Sequence, residues 1–193
     1  MTKNERRAYQ MSGLHTRDDS GTDDPIIEGY FAVFGQETEI WPGWFESIAP
    51  GAFANSLRNN DIRCLFDHDS ANVLGRTSAG TLTLKEDDHG LFGQLHVNPD
   101  DRMAMDVYAR VRRGDISGCS FGFFPISEEC ETKDDGDHYV VREADTIEVS
   151  VCTFPAYPTT EIDARKAAAA DNRRKRTQAQ RKRLEAYKKC LHS

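Results

Sequence analysis

Between residues 26 and 154 the chain is a succession of short apolar runs separated by glycine, proline and aspartate turns, a pattern that favours many short strands. The clearest run covers 146–154. There Ile147, Val149 and Val151 point one way, Glu148, Ser150 and Cys152 point the other, and Pro155 and Pro158 end the pattern. Residues 26–34 and 62–66, rich in β-branched and aromatic side chains, read as two more strands. Residues 81–84 and 91–97 form a hairpin across Asp87, Asp88, His89 and Gly90. Residues 117–126 are extended, and 139–142 form a short strand after the turn at Asp134, Asp135, Gly136 and Asp137. Trp41-Pro42-Gly43-Trp44 is a turn with two large aromatics beside it.

Two helices interrupt this pattern. One is expected over about 52–58, opened by Pro50-Gly51. The other runs over about 101–113, with Met103, Val107, Tyr108 and Val111 at three- and four-residue spacing behind Asn98-Pro99-Asp100. Six or seven strands with two or three helices make an α+β fold dominated by an antiparallel sheet or barrel.

Charge divides the chain. Residues 164–193 hold 11 Lys and Arg against 2 Asp and Glu, which leaves 14 against 30 in the first 163 residues and a net charge of -7. This predicts a flexible polar arm over 1–24, a folded domain over 25–163 and a basic, helical tail over 164–193. The tail suits an acidic scaffold, the acidic body of another copy, or nucleic acid; a solvated tail without a partner fits as well. No apolar run approaches the roughly 18 residues of a membrane span, and the first residues lack the apolar stretch of a secretory signal. The expected location is therefore inside the cell that makes the protein. Cys64, Cys119, Cys130, Cys152 and Cys190 are scattered, with no C-x-x-C pair, and read as reduced, mostly buried thiols. His89 and His96 are seven apart, His138 sits in an acidic turn, and all three read as solvated surface histidines. No metal or cofactor is expected.

Hydrolysis by serine needs an accessible nucleophile, a base and a group that orients the base. Ser120 lies in Gly118-Cys119-Ser120-Phe121-Gly122-Phe123, where the glycines allow close backbone approach and inward-pointing amides. The spacing alone equally fits an ordinary glycine-containing strand. His68 follows an apolar strand between Asp67 and Asp69, a partly exposed position suited to a base or to a plain surface histidine. Glu148 is the acid in an otherwise uncharged strand and needs a partner there, unless that face meets solvent. Ser117 is a rival nucleophile. Cys119 is another, though it points to the opposite side of an extended strand from Ser120. Arg76 fits an oxyanion or carbonyl contact, or a surface ion pair.

Seven phrases occur in order: Gly29-Tyr30-Phe31-Ala32-Val33-Phe34, Ile48-Ala49-Pro50-Gly51-Ala52-Phe53, Phe66-Asp67-His68-Asp69, Leu74-Gly75-Arg76-Thr77, Gly118-Cys119-Ser120-Phe121-Gly122-Phe123, Glu148-Val149-Ser150-Val151 and Phe154-Pro155-Ala156-Tyr157-Pro158. Across roughly residues 26–160 this set resembles the prohead proteases of tailed bacteriophages. The resemblance implies a β-barrel surrounded by a few helices, related to the herpesvirus assemblins. It implies a serine endopeptidase with Ser120 as nucleophile, His68 as base and Glu148 as orienting acid. Its substrates would be scaffolding segments of the major capsid protein, and itself, inside the assembling procapsid in the bacterial cytoplasm. A homodimer is expected on the same ground. The alternative is a non-catalytic scaffold or capsid-binding protein built on a protease-like barrel.

Overall fold

A computed structural model describes residues 11–12, 14–18 and 25–154, all within the first of two compact units, Met1–Ala156. The strands form two sheets. In the larger, β1 (Met11–Ser12), β10 (Gly118–Thr132), β11 (Asp137–Cys152), β5 (Trp44–Ile48) and β4 (Thr38–Trp41) lie in that order, with β6 (Arg63–Phe66) also against β11 and β7 (Asp69–Arg76) outside β6. The smaller holds β2 (His15–Asp18), β3 (Pro25–Val33), β9 (Gly90–His96) and β8 (Leu82–Glu86). Helix α1 spans Ala54–Asn59 and α2 spans Arg102–Arg113.

Strand β11 organises the larger sheet. One edge pairs antiparallel with β10 along its whole length. The other edge is shared: β5 runs parallel to residues 137–141 and β6 parallel to residues 148–151. The backbone between them needs other partners. The α1 segment supplies them: Ala144 N donates to Ala52 O at 2.9 Å. Ser56 Oγ donates to Ala144 O at 2.5 Å and accepts from Thr146 N at 2.9 Å. A six-residue helix thus fills the gap between two strands, which explains why its buried residue is a serine.

Helix α2 follows local rules. Asp101 accepts from the amides of Met103 and Ala104, Gly114 ends the helix at φ 84°, and Ala104, Val107, Tyr108 and Val111 form its buried face. The core draws on both sheets and this helix: Phe31, Leu91 and Leu95 meet Phe53, Phe121, Phe123, Val149 and Val151, all fully buried. Each such side chain contributes about 1.5–3 kcal/mol.

Several expectations change here. The strands pair as two sheets and close no ring among the described residues, so the architecture is mostly β, α+β, rather than an antiparallel barrel. Two parallel junctions on β11 break the antiparallel pattern. The separate strands expected at 139–142 and 146–154 are one, and among the described residues eleven strands replace the expected six or seven. Residues 11–12 and 15–18, read as part of a loose arm, pair with β10 and β3. The expected tail at 164–193 lies outside the described residues. Among those described, no helix is long and apolar enough to cross a membrane.

Candidate active site

Strand alternation builds the site. In the β10–β11 ladder Ser120 lies opposite Ser150, Phe121 opposite Val149 and Gly122 opposite Glu148. Directly paired residues share a face. Phe121, Phe123, Val149 and Val151 take the core face. Ser120, Ser150 and Glu148 therefore take the other, all three buried at 0%, 0% and 2% exposure. Gly118 and Gly122 keep ordinary negative φ, unlike the glycines at turns. Gly122, directly opposite Glu148 in the ladder, sets no side chain against the carboxylate.

The imidazole reaches this face from a two-residue turn. Phe66 pairs with Asp69 in the β6–β7 hairpin, so Asp67 and His68 form its loop. Their φ values are 51° and 60°, the signature of a type I′ turn, which usually recruits glycine or asparagine. Three hydrogen bonds hold it against the end of β11: Asp67 N donates to Val151 O at 2.9 Å, while Thr153 N and Oγ1 donate to the Asp67 carboxylate at 2.7 and 2.9 Å. Held this way, His68 places Nδ1 2.7 Å from Glu148 Oε1. The buried carboxylate accepts that proton, so in the neutral ring Nε2 carries the lone pair. Ser150 Oγ donates to Glu148 Oε2 at 2.5 Å.

His68 and Glu148 are thus brought together, with His68 about a quarter exposed. Ser120 shares the face of Glu148, but its Oγ is enclosed and has no hydrogen-bond partner among the described residues, so no Ser120–His68 hydrogen bond is made here. Nucleophile–base contacts commonly tighten only around substrate. Ser117 lies outside β10, exposed, three residues from Ser120. Cys119 packs in the core, its Sγ 3.0 Å from Tyr30 O, and burial pushes its thiol up to about 12, far from thiolate chemistry.

Arg76 is engaged by Asp61 through its Nε and Nη2, and this pairing holds the Asp61 carboxyl well below the usual carboxylate range. That is the surface ion pair, on the end of β7 away from the His68 turn. His138, expected to be a solvated surface residue, is buried. Its Nδ1 lies 2.8 Å from Glu37 Oε2 and its Nε2 2.9 Å from Asp135 Oδ1, and its ring stacks on Phe45 at 4.5 Å. Sequence reasoning gave no role to Ser150 or Asp67. Ser150 was legible as the neighbour of Glu148 on one strand face; Asp67 carried only the signal of an aspartate that tolerates left-handed backbone.

Comparison with known proteins follows the same direction. A sequence family described as caudovirus prohead serine protease matches residues 12–175. The prohead protease of Enterobacteria phage HK97 is 30% identical over 145 residues, which are 74% of this chain and 60% of that protein. The chain therefore spans about three fifths of that relative's length. The solved capsid assembly protease of bacteriophage T4 superposes with a TM-score of 0.46 at 12% identity, over 75% of this chain and 99% of the other.

Proposed function

This chain belongs to the caudovirus prohead serine protease family, and on that premise we propose that it is the endopeptidase that matures a phage procapsid. Its substrates are the scaffolding segments of the major capsid protein, and its own chain. The observation that carries the reading is the coupling of His68 to the buried Glu148 on the sheet face that Ser120 occupies.

Ser120 Oγ attacks the scissile carbonyl while His68 Nε2 takes its proton, and the imidazolium then returns the proton to the leaving amine. Glu148 fixes the imidazole tautomer through Nδ1 and balances the positive charge that forms on the ring. Water repeats the sequence on the acyl-enzyme. For attack to begin, whatever encloses Ser120 Oγ must open and the hydroxyl must close on Nε2.

Co-expression with the major capsid subunit tests this. Wild type should shorten the subunit, and Ser120→Ala should slow that cleavage by a factor of about a thousand or more. Near-normal shortening by Ser120→Ala sinks the assignment. The enclosure of Ser120 is the observation that favours the alternative, a non-catalytic assembly protein. A fluorophosphonate that labels Ser120 in particles with wild-type protein decides for the enzyme.

The rest of the proposal follows from membership in the family. The chain works as a homodimer inside the procapsid in the bacterial cytoplasm. The basic residues of 164–193 tether it to acidic scaffold. Deleting 164–193 should reduce incorporation into particles, while a strong salt dependence of DNA binding that is lost on deletion would mark nucleic acid as the partner instead.

A further inference from the structure

We propose that Ser150 is a positioning residue for this reaction, acting through Glu148; the inference rests on the catalytic reading above. Its hydroxyl is fully buried and donates to Glu148 Oε2 at 2.5 Å, while His68 Nδ1 takes Oε1 of the same carboxylate at 2.7 Å. Ser150 is also the residue directly opposite Ser120 in the ladder. One strand-to-strand step thus links the proposed nucleophile to the residue that grips the acid.

The chemistry needs that grip. The terminal torsion of a glutamate is broad, so a single hydrogen bond from His68 leaves the carboxylate plane free to turn. A second donor on the other oxygen fixes the plane. It also favours the ionised form of a carboxylate that is 2% exposed, the form required when the imidazole becomes cationic. Burial alone does not explain the contact. Thr146, on the same strand and equally buried, leaves its Oγ1 without a partner among the described residues. The hydroxyl of Ser150 is spent on the carboxylate.

Removing the donor has two effects on the pH profile, and they agree in sign. An ionised Glu148 with less neutralisation holds the His68 proton more firmly. A Glu148 that has lost a donor to its charged form is itself protonated more readily. Each moves the acid limb of activity to higher pH.

The test uses particles from co-expression of the full chain with the major capsid subunit, following subunit shortening across buffered pH for wild type, Ser150→Ala, Ser150→Thr and Ser120→Ala. Ser150→Ala should cleave about tenfold more slowly at neutral pH, the loss expected for one hydrogen bond to a charged group. Its acid limb should move up by about half a unit or more. Ser150→Thr, which restores the hydroxyl, should recover both. If Ser150→Ala fails to fold, Ser150→Cys fills the site with a slightly larger but weaker donor and should show the same upward displacement. A slowed variant with an unmoved acid limb, or wild-type rates in Ser150→Ala, overturns the positioning role. Near-normal cleavage by Ser120→Ala overturns the catalytic reading instead, whatever the Ser150 variants do.

Discussion

Replacing Asp67 tests how His68 is held. Asp67 and His68 occupy left-handed backbone at φ 51° and 60°, a conformation that costs roughly 1–2 kcal/mol for each non-glycine residue. The turn persists because Asp67 N bonds Val151 O and the Asp67 carboxylate receives two bonds from Thr153. Those carboxylate bonds are exposed, so each is worth about 1 kcal/mol rather than the larger value of a buried charge. Asp67→Ala removes both and puts a less tolerant residue at a positive φ, for a total of about 2–3 kcal/mol. If that free energy holds the turn in the geometry that aims Nδ1 at Glu148, its loss lowers the cleavage rate by roughly 30- to 140-fold, since 1.4 kcal/mol is a factor of ten. Asp67→Asn keeps an acceptor and tolerates the backbone, so it should lose only a few-fold. Asp67→Gly relieves the dihedral cost and should fall between Asn and Ala. The assay is subunit shortening in co-expressed particles, paired with thermal unfolding of each purified variant. An alanine variant that cleaves as fast as wild type, or a glycine variant worse than alanine, would refute the account.

Glu148→Gln preserves shape but removes the charge that balances the imidazolium, and should slow cleavage by about a thousandfold while the chain stays folded by circular dichroism. His138 gains its proton more readily than an ordinary histidine, first because of Glu37 and then because of Asp135, although burial of the ring and, less strongly, Lys133 oppose this. The sign follows: its contribution to stability is complete below about pH 6.5, the ordinary histidine value, and is lost as pH rises through the elevated folded value. The difference in melting temperature between wild type and His138→Gln should therefore narrow between pH 6 and 9, and a constant difference would contradict the pairing. Gly136, at φ 155°, packs so closely on the Pro42-Gly43 turn that an added Cβ would sit 2.3 Å from Gly43 O. Gly136→Ala should cost about 2–4 kcal/mol in denaturant unfolding, and an unchanged midpoint would show that the two turns separate easily.

Much of this protein is local and therefore legible in its residues. The two-residue period of a strand placed Glu148 and Ser150 on one face and Val149 and Val151 on the other without any coordinates. The same rule sent Cys119 away from Ser120. Helix α2 announced itself through its apolar spacing, and Gly114 ends it as the sequence allows. Its cap is Asp101, one residue past the Asn98-Pro99-Asp100 phrase, because capping is decided by which carboxylate meets the first amides.

Long-range pairing decided the rest. Nothing near residues 11–18 says that they complete two sheets, because their partners in β10 and β3 lie far along the chain or depend on a register that no local pattern carries. The acidic turn around His138 looked solvated until Glu37 and Phe45 closed over it from another hairpin. His68 was recognisable as a residue type in a phrase, but its direction comes from a strained turn pinned to Thr153, 86 positions away. Sequence alone determined which side chains could do chemistry, since alternation and composition are properties of neighbours. Only the tertiary structure decided which of them meet, since contact between distant strands depends on the whole sheet's closing free energy.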